Sequence, residues 1–152
     1  MSINIEDHVA LLFESFERAT GRILWDDSWA KLNAADLVTA FEEAPCVIAS
    51  HDTSDDPVLN YGNPTALNLW EANWEQFTSM PSRLTAEPVE RSERERLLHE
   101  VSTNGYIDNY SGIRISTRGK RFLIRQATVW TVIDVNGIHR GQAVVFLDWE
   151  FI

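Results

Sequence analysis

Two stretches near the start of the chain carry apolar residues at helical spacing. The first stretch has four apolar positions at the i, i+3, i+4, i+7 spacing of one helix face: Val9, Leu12, Phe13 and Phe16. Asn4 can cap this helix and Gly21 can end it, so the pattern predicts a helix over residues 4–21. A second helix is predicted between Asn33 and Pro45. We therefore expect residues 1–45 to form a helical extension before a core at 46–152, within a single globular domain.

The polar and apolar pattern changes to that of strands at residue 46. Residues 46–52 ("CVIASHD") and 58–61 ("VLNY") predict two strands joined by the turn "TSDDP". The second strand runs into "YGNP", where Asn63 suits a helix N-cap and Pro64 suits the first helical position. A short helix is therefore predicted over residues 64–71.

The remaining chain predicts one more helix and then three strands. Leu97, Leu98 and Val101 form the inner stripe of a helix at residues 88–103, and Glu/Arg pairs are expected on its outer face. Strands follow at residues 106–116, 121–134 and 138–152, with a Gly in each of the two intervening turns. The order predicts an α+β fold: a five-stranded antiparallel sheet with helices on one side, preceded by the N-terminal helices.

The faces of the last three strands can be assigned if both hairpins have two-residue loops, at 118–119 and 136–137. One face would then be almost wholly apolar: Ile113, Ile115, Phe122, Ile124, Trp130, Val132, Ala143, Val145, Leu147 and Trp149. The other face would mix apolar and polar residues: Tyr110, Arg114, Leu123, Arg125, Ala127, Val129, Gln142, Val144 and Phe146. Arg125 would stand opposite Asp148. The mixed face could be a partly exposed surface, a pocket wall that recognises an anion, or a partner interface.

Composition and charge narrow the classes of function. The formal net charge of −10 would repel a phosphate backbone, so nucleic-acid binding is not expected. The acidic N-terminus lacks the pattern of a signal peptide, and no apolar stretch is long enough for a membrane span. The single cysteine, Cys46, cannot form an internal disulfide, which fits a reducing compartment. We therefore expect a cytoplasmic protein that does not interact with membranes.

No motif for catalysis or metal binding is present in the sequence. The chain has no Gly-rich phosphate loop and no HExxH, and its four histidines lack metal-ligand spacing. An enzyme would have to use Asp108 or Asp148 beside Tyr110 or Tyr61 as an acid/base group in an apolar cavity. We expect neither carboxylate to titrate near neutrality. No catalytic residue, metal ligand or cofactor is therefore assigned.

Several motifs together resemble a known family. The segments are "NYGNPTALNLWE", "MPSRLTAEP", "ERERLL", "GYIDNYSGIRIS", "GKRFLIRQATVW" and "GQAVVFLDW", and they extend from about residue 10 to 149. They resemble the MEKHLA domain, a PAS-related family of bacterial stand-alone proteins that also occurs at the C-terminus of plant class III homeodomain–leucine zipper proteins. The resemblance implies a PAS-like fold and a sensing or interaction role. It supplies no ligand, and the Cys-bearing motif of flavin-binding light sensors is absent.

Three functions remain open at this point. The first is a sensory module with a small molecule between the sheet and helices 64–103. Its ligand-binding residues would be aromatic, amide and Arg side chains: Tyr61, Asn63, Trp70, Trp74, Arg83, Tyr110, Arg114, Arg125, Trp130 and Gln142. The second is a ligand-free interaction module that forms a homodimer through the N-terminal helix. The third is the acid/base enzyme.

Overall fold

A computed structural model of the protein describes residues 4–152, in which helices pack on both faces of one antiparallel sheet. The strands are β1 (Val47–His51), β2 (Leu59–Gly62), β3 (Tyr106–Ile115), β4 (Arg121–Ile133), β5 (His139–Phe146) and β6 (Asp148–Phe151). The main order is β2-β1-β5-β4-β3, and β6 also pairs with β4. The predicted antiparallel α+β sheet is confirmed. The predicted strand 138–152 is wrong in one respect, because Leu147 interrupts it and separates β5 from β6.

Five α-helices surround this sheet, together with 3-10 turns that include Ser82–Thr85. The helices are α1 (Ile5–Thr20), α2 (Ala34–Glu43), α3 (Pro64–Trp70), α4 (Trp74–Phe77) and α5 (Arg91–Asn104). Asn4 caps α1 by accepting a hydrogen bond from the Asp7 amide, and Gly21 ends it with a φ of 75°. The predicted caps and helix positions are therefore present. No helix within residues 4–152 is long and apolar enough to cross a membrane.

The apolar stripe of α1 packs on the chain's own sheet. Val9, Leu12 and Phe16 are buried in one cluster with Trp130 of β4. The Trp130 indole Nε1 donates a hydrogen bond to Ser15 Oγ on α1 at 3.0 Å. The helices α3, α4 and α5 cover the opposite face, so the N-terminal helices close the side that the core helices leave open.

A kink in β4 exchanges the two faces of the sheet. Gln126 has a positive φ of 54°, and Leu147 interrupts the neighbouring strand at the same level. Before the kink, Phe122 and Ile124 belong to the cluster under α3, whereas Trp130 beyond it belongs to the cluster under α1. The predicted single apolar face that joined Phe122, Ile124 and Trp130 is therefore wrong.

The two hairpins differ in how well their predicted register holds. Between β4 and the last strands the predicted register holds from Arg125, opposite Asp148, to Val132, opposite Gly141, but it is wrong by one residue at the turn, where Ile133 pairs with His139. Between β3 and β4 it is wrong by one residue near the turn, where Arg114 stands opposite Phe122 rather than Leu123. This shift places Arg114 on the face that α3 and α5 cover.

Candidate functional site

A cavity lies between the sheet and the helices α3, α4 and α5. Its volume is about 80 Å³. Its apolar wall includes Ala49, Leu59, Trp70, Phe77, Leu97, Leu98, Ile124, Val129 and Val144. Its polar wall includes Ser50, His51, Ser82, Thr85, Arg94, Tyr110, Arg114 and Gln142. This volume suits several water molecules or a ligand with a handful of non-hydrogen atoms, whereas drug-sized ligands occupy roughly 300–1,000 Å³.

Arg94 of α5 enters this cavity without a counterion. The residue is 5% exposed, and its Nη2 donates a hydrogen bond to the Ser82 hydroxyl. No carboxylate of residues 4–152 forms a salt bridge with it. Burial, together with the positive charge of Arg114, lowers the pKa of Arg94 to about 10. At neutral pH the guanidinium is still charged, so α5 holds a buried positive charge beside the cavity.

The second buried guanidinium, Arg114 of β3, belongs to a short polar chain. Its Nη2 donates to Tyr110 Oη at 3.1 Å, and its Nη1 donates to the Ile113 carbonyl at 2.8 Å. Tyr110 in turn donates to the Glu93 carboxylate at 2.8 Å, while Glu93 lies 3.9 Å from Arg114 Nη1. Burial raises the pKa of Tyr110 to about 12, so its hydroxyl stays protonated. Glu93 thus pairs with Arg114, whereas Arg94 forms no salt bridge within residues 4–152 and is attracted only by the more distant charges of Glu95 and Asp56.

Two further cavity residues have a buried polar atom without a hydrogen-bond partner in the described chain: His51 Nε2 and Trp70 Nε1. His51 Nδ1 lies 2.9 Å from the Asp52 carbonyl, which can only accept, so Nδ1 carries the ring proton. Burial lowers the pKa of His51, which keeps the ring neutral and leaves Nε2 as an acceptor. Trp70 Nε1 is a donor. The residues around the cavity therefore include a buried donor and a buried acceptor without a partner in the described chain, as well as the two guanidinium groups.

Gln142 connects the sheet to the helix that carries Arg94. It lies on β5, and its Nε2 donates to the Leu98 carbonyl of α5 at 2.9 Å. With Trp70, Tyr110 and Arg114, it completes the four predicted ligand-binding residues that line the cavity. Their side chains come from one helix and two strands that are far apart in sequence.

Three predicted aromatic residues lie in the core on the α1 side: Tyr61, Trp74 and Trp130. Trp70 and Trp74 belong to different helices, because α3 ends at Trp70 and Glu71 has a φ of 56°. The turn sends Trp74 to the start of α4, where its ring packs 5.8 Å from that of Tyr61. These residues stabilise the fold and do not line the cavity.

The other predicted residues outside the cavity have structural or surface roles. Asn63 is buried and caps α3, and its side chain also accepts from the Ile48 amide and donates to the Phe41 and Cys46 carbonyls. Arg83 forms an exposed ion pair with Asp56 at 3.2 Å. Arg125 pairs with Asp148 and Glu150 across the strands. Neither of these arginines reaches the cavity.

The carboxylates considered for acid/base chemistry are held by arginines away from the cavity. Asp108 accepts two hydrogen bonds from the Arg22 guanidinium, at 2.8 and 2.9 Å, and these bonds lower the pKa of Asp108. Asp148 lies 3.3 Å from Arg125 Nη1. Within residues 4–152, no group of three or more His, Cys, Asp or Glu side chains could hold a metal ion.

Arg94 and His51 are cavity residues that the sequence analysis missed. Arg94 was assigned to the charged outer face of its helix. It stands three positions before Leu97 and seven before Val101, and all three are buried. The i, i+3, i+7 spacing could have indicated an inward-facing arginine. His51 ends an apolar strand, and no local pattern showed which way its ring points.

A five-stranded antiparallel sheet with the cavity on the side of its connecting helices is the fold of PAS domains. The structure aligns with the crystal structure of a PAS domain from Colwellia psychrerythraea with a TM-score of 0.64 and 14% identity, over 78% of this chain and 95% of that one. The chain belongs to the MEKHLA domain family, whose model matches residues 6–151. The family resemblance inferred from the sequence motifs is thus confirmed.

Two curated relatives come from Arabidopsis thaliana. The homeobox-leucine zipper protein ATHB-14 is 24% identical over 144 residues, which are 93% of this chain and 15% of that protein. The homeobox-leucine zipper protein ATHB-9 is 26% identical over 103 residues, which are 66% of this chain and 12% of that protein. The chain therefore spans only a small part of the length of either relative.

Proposed function

We propose that this domain is a cytoplasmic sensory module that binds a small molecule in the cavity between the sheet and α3–α5. The supporting observation is the set of polar groups around the cavity: Trp70 Nε1 and His51 Nε2 are buried without a hydrogen-bond partner in the described chain, and the buried Arg94 forms one hydrogen bond, to Ser82, and no salt bridge there. Burying a polar group without a hydrogen bond costs about 1–3 kcal/mol. A ligand that satisfies these groups would recover that cost, so the cavity favours occupancy by a polar molecule.

The size of the cavity restricts the ligand. A volume of about 80 Å³ excludes a molecule as large as a nucleotide or a flavin in this conformation. The apolar wall favours a ligand with a small hydrocarbon part, and the polar groups on α5, β1 and β3 favour one polar end. A small metabolite fits this description better than a large cofactor does.

The proposal is tested by screening the purified protein against small polar metabolites by thermal shift and native mass spectrometry. We expect at least one compound to stabilise the wild-type protein and to add its mass to the folded species. Val144→Phe, which fills the cavity from β5, should abolish the effect. Val145→Phe, on the opposite face next to α1, is the matched control and should retain it. If no compound shifts the wild type, the cavity is not a binding site.

A ligand-free homodimer is the second candidate function. Three residues of its predicted contact stripe on α1, Val9, Leu12 and Phe16, are already buried in the cluster with Trp130, which leaves little of the stripe for an interface. The exposed apolar side chains of Trp25 and Leu147, 43% and 52% exposed, flank a groove beside α1 and support a different contact surface. Light scattering at tens of micromolar is the measurement, and a monomer would remove this candidate.

A further inference from the structure

We propose that the ligand of this cavity is a small monocarboxylate, whose carboxylate group binds Arg94 and Arg114. This inference rests on the proposed binding function and specifies the chemical class of the ligand. Both arginine residues are more than nine-tenths buried, with exposures of 5% and 7%, and both line the cavity. Arginine presents planar pairs of N–H donors that match a carboxylate in a bidentate arrangement.

The salt bridges of the site favour one additional negative charge. Glu93 is the only carboxylate that forms a salt bridge with either guanidinium within residues 4–152, and it lies 3.9 Å from Arg114. Arg94 and Arg114 repel each other, Glu95 and Asp56 attract Arg94 only from beyond salt-bridge distance, and no acidic side chain of residues 4–152 forms a salt bridge with Arg94. A buried charge is retained at low cost only when it is paired. A monoanion therefore completes the site, whereas a dianion would leave an excess negative charge beside Glu93.

The hydrogen-bond donors around the cavity also favour a carboxylate as the ligand. Arg94 uses one of its five N–H donors within the described chain, in the bond to Ser82, and Trp70 Nε1 has no acceptor. A carboxylate offers two oxygens with about four acceptor positions. A cation would meet two positive groups, and a neutral amide would leave the charge of Arg94 unpaired. Leu97 and Val129 on the apolar wall leave room for a short hydrocarbon chain.

The decisive comparison is between propionate and propionamide, which have almost the same shape and differ in charge. Binding is measured by isothermal titration calorimetry at pH 7, with the ionic strength held constant by sodium gluconate, whose anion is too large for the cavity. We expect propionate to bind at least about tenfold more tightly than propionamide, because hydrogen bonds to a charged group are the stronger ones. Arg94→Met should remove this preference. Arg96→Met, at an exposed position of the same helix, should leave it unchanged.

The outcomes separate this inference from the proposed function. Equal or tighter binding of propionamide by the wild-type protein would overturn the carboxylate inference and leave the cavity as a site for neutral molecules. Binding of neither probe, together with no hit among the screened metabolites, would overturn both. An unchanged propionate preference in Arg94→Met would also refute the assignment of Arg94. The wild-type comparison decides the ligand class even if that variant does not fold.

Discussion

Replacing Arg94 by Met should stabilise the ligand-free protein, although the change deletes a hydrogen bond. Arg94 is 5% exposed, and its pKa is lowered by between two and three units, to about 10, mainly by burial and then by Arg114. Each pKa unit corresponds to about 1.4 kcal/mol, so keeping the charged form inside the protein costs about 3 kcal/mol. Met is apolar and flexible and can occupy the space beside Leu97 without that cost.

The stability lost with the hydrogen bond of Arg94 is smaller than the stability gained by removing its buried charge. Arg94→Met removes the hydrogen bond to the Ser82 hydroxyl, and one such bond contributes about 1 kcal/mol net. The free energy of unfolding should therefore rise by about 2 kcal/mol. For a domain of this size, that change corresponds to an increase in Tm of about 4–8 °C.

Urea unfolding and calorimetry at pH 7, in buffers free of small carboxylates, measure this effect. Arg96→Met is the control, because Arg96 is exposed on the same helix and its replacement should change stability by less than about 0.5 kcal/mol. Saturating propionate should narrow the gap between wild type and Arg94→Met, since a ligand stabilises only the protein that binds it. A loss of more than about 1 kcal/mol in ligand-free Arg94→Met would show that Arg94 stabilises the fold, and would refute this reasoning.

Two further predictions concern the structural polar groups. Asn63→Ala should lower the free energy of unfolding by about 3–5 kcal/mol, measured by urea unfolding, because it breaks a buried hydrogen-bond network as well as a helix cap. Asn73→Ala, at an exposed cap, should lower it by about 1 kcal/mol. Equal losses in the two variants would contradict the stabilising role of the network. Burial lowers the pKa of His8 from 6.5 to about 4, so the unfolded chain binds more protons in that window and stability should fall by about 3 kcal/mol from pH 6.5 to pH 4. His8→Gln should reduce that loss and exposed His99→Gln should not, while His51, whose pKa burial also lowers, adds to the trend in every variant.

The elements of the fold were predictable because each depends on local patterns. Caps at Asn4, Asn33 and Asn63 and the Asn136-Gly137 turn act within a few residues, and all of them occur where the sequence indicates. The faces of the sheet were less predictable, because a single αL residue reverses the alternation of side chains. Gln126 gives no such indication, since the positive φ there is imposed by the paired strands rather than by a glycine.

The site was only partly predictable for a related reason. Arg114 was expected on a face with Arg125, but the irregular pairing of β3 with β4 brings it under α5 while Arg125 remains with Asp148 at the strand edge. The orientation of Arg94 depends on the position of α5 over the sheet, which is a property of tertiary packing. The presence of arginines on the predicted mixed face indicated an anion site, but the sequence does not show which arginines are buried.

The two faces of the sheet differ in how their polar groups are satisfied, and this difference supports a binding role for one of them. Under α1, Trp130 donates to Ser15 and His8 contacts Ser50 at 3.0 Å, and the neutral hydroxyl of Tyr61 is the buried side-chain atom of the described chain that lacks a partner on that side. Under α5, Arg94 and Trp70 keep donors without acceptors, and Gln142 supplies a direct hydrogen bond from β5 to that helix. A carboxylate bound between Arg94 and Arg114 would connect α5 to β3 and stabilise the docked position of the helix. Ligand binding and the docking of α5 are then coupled by the same contacts, which is the coupling a sensory domain requires.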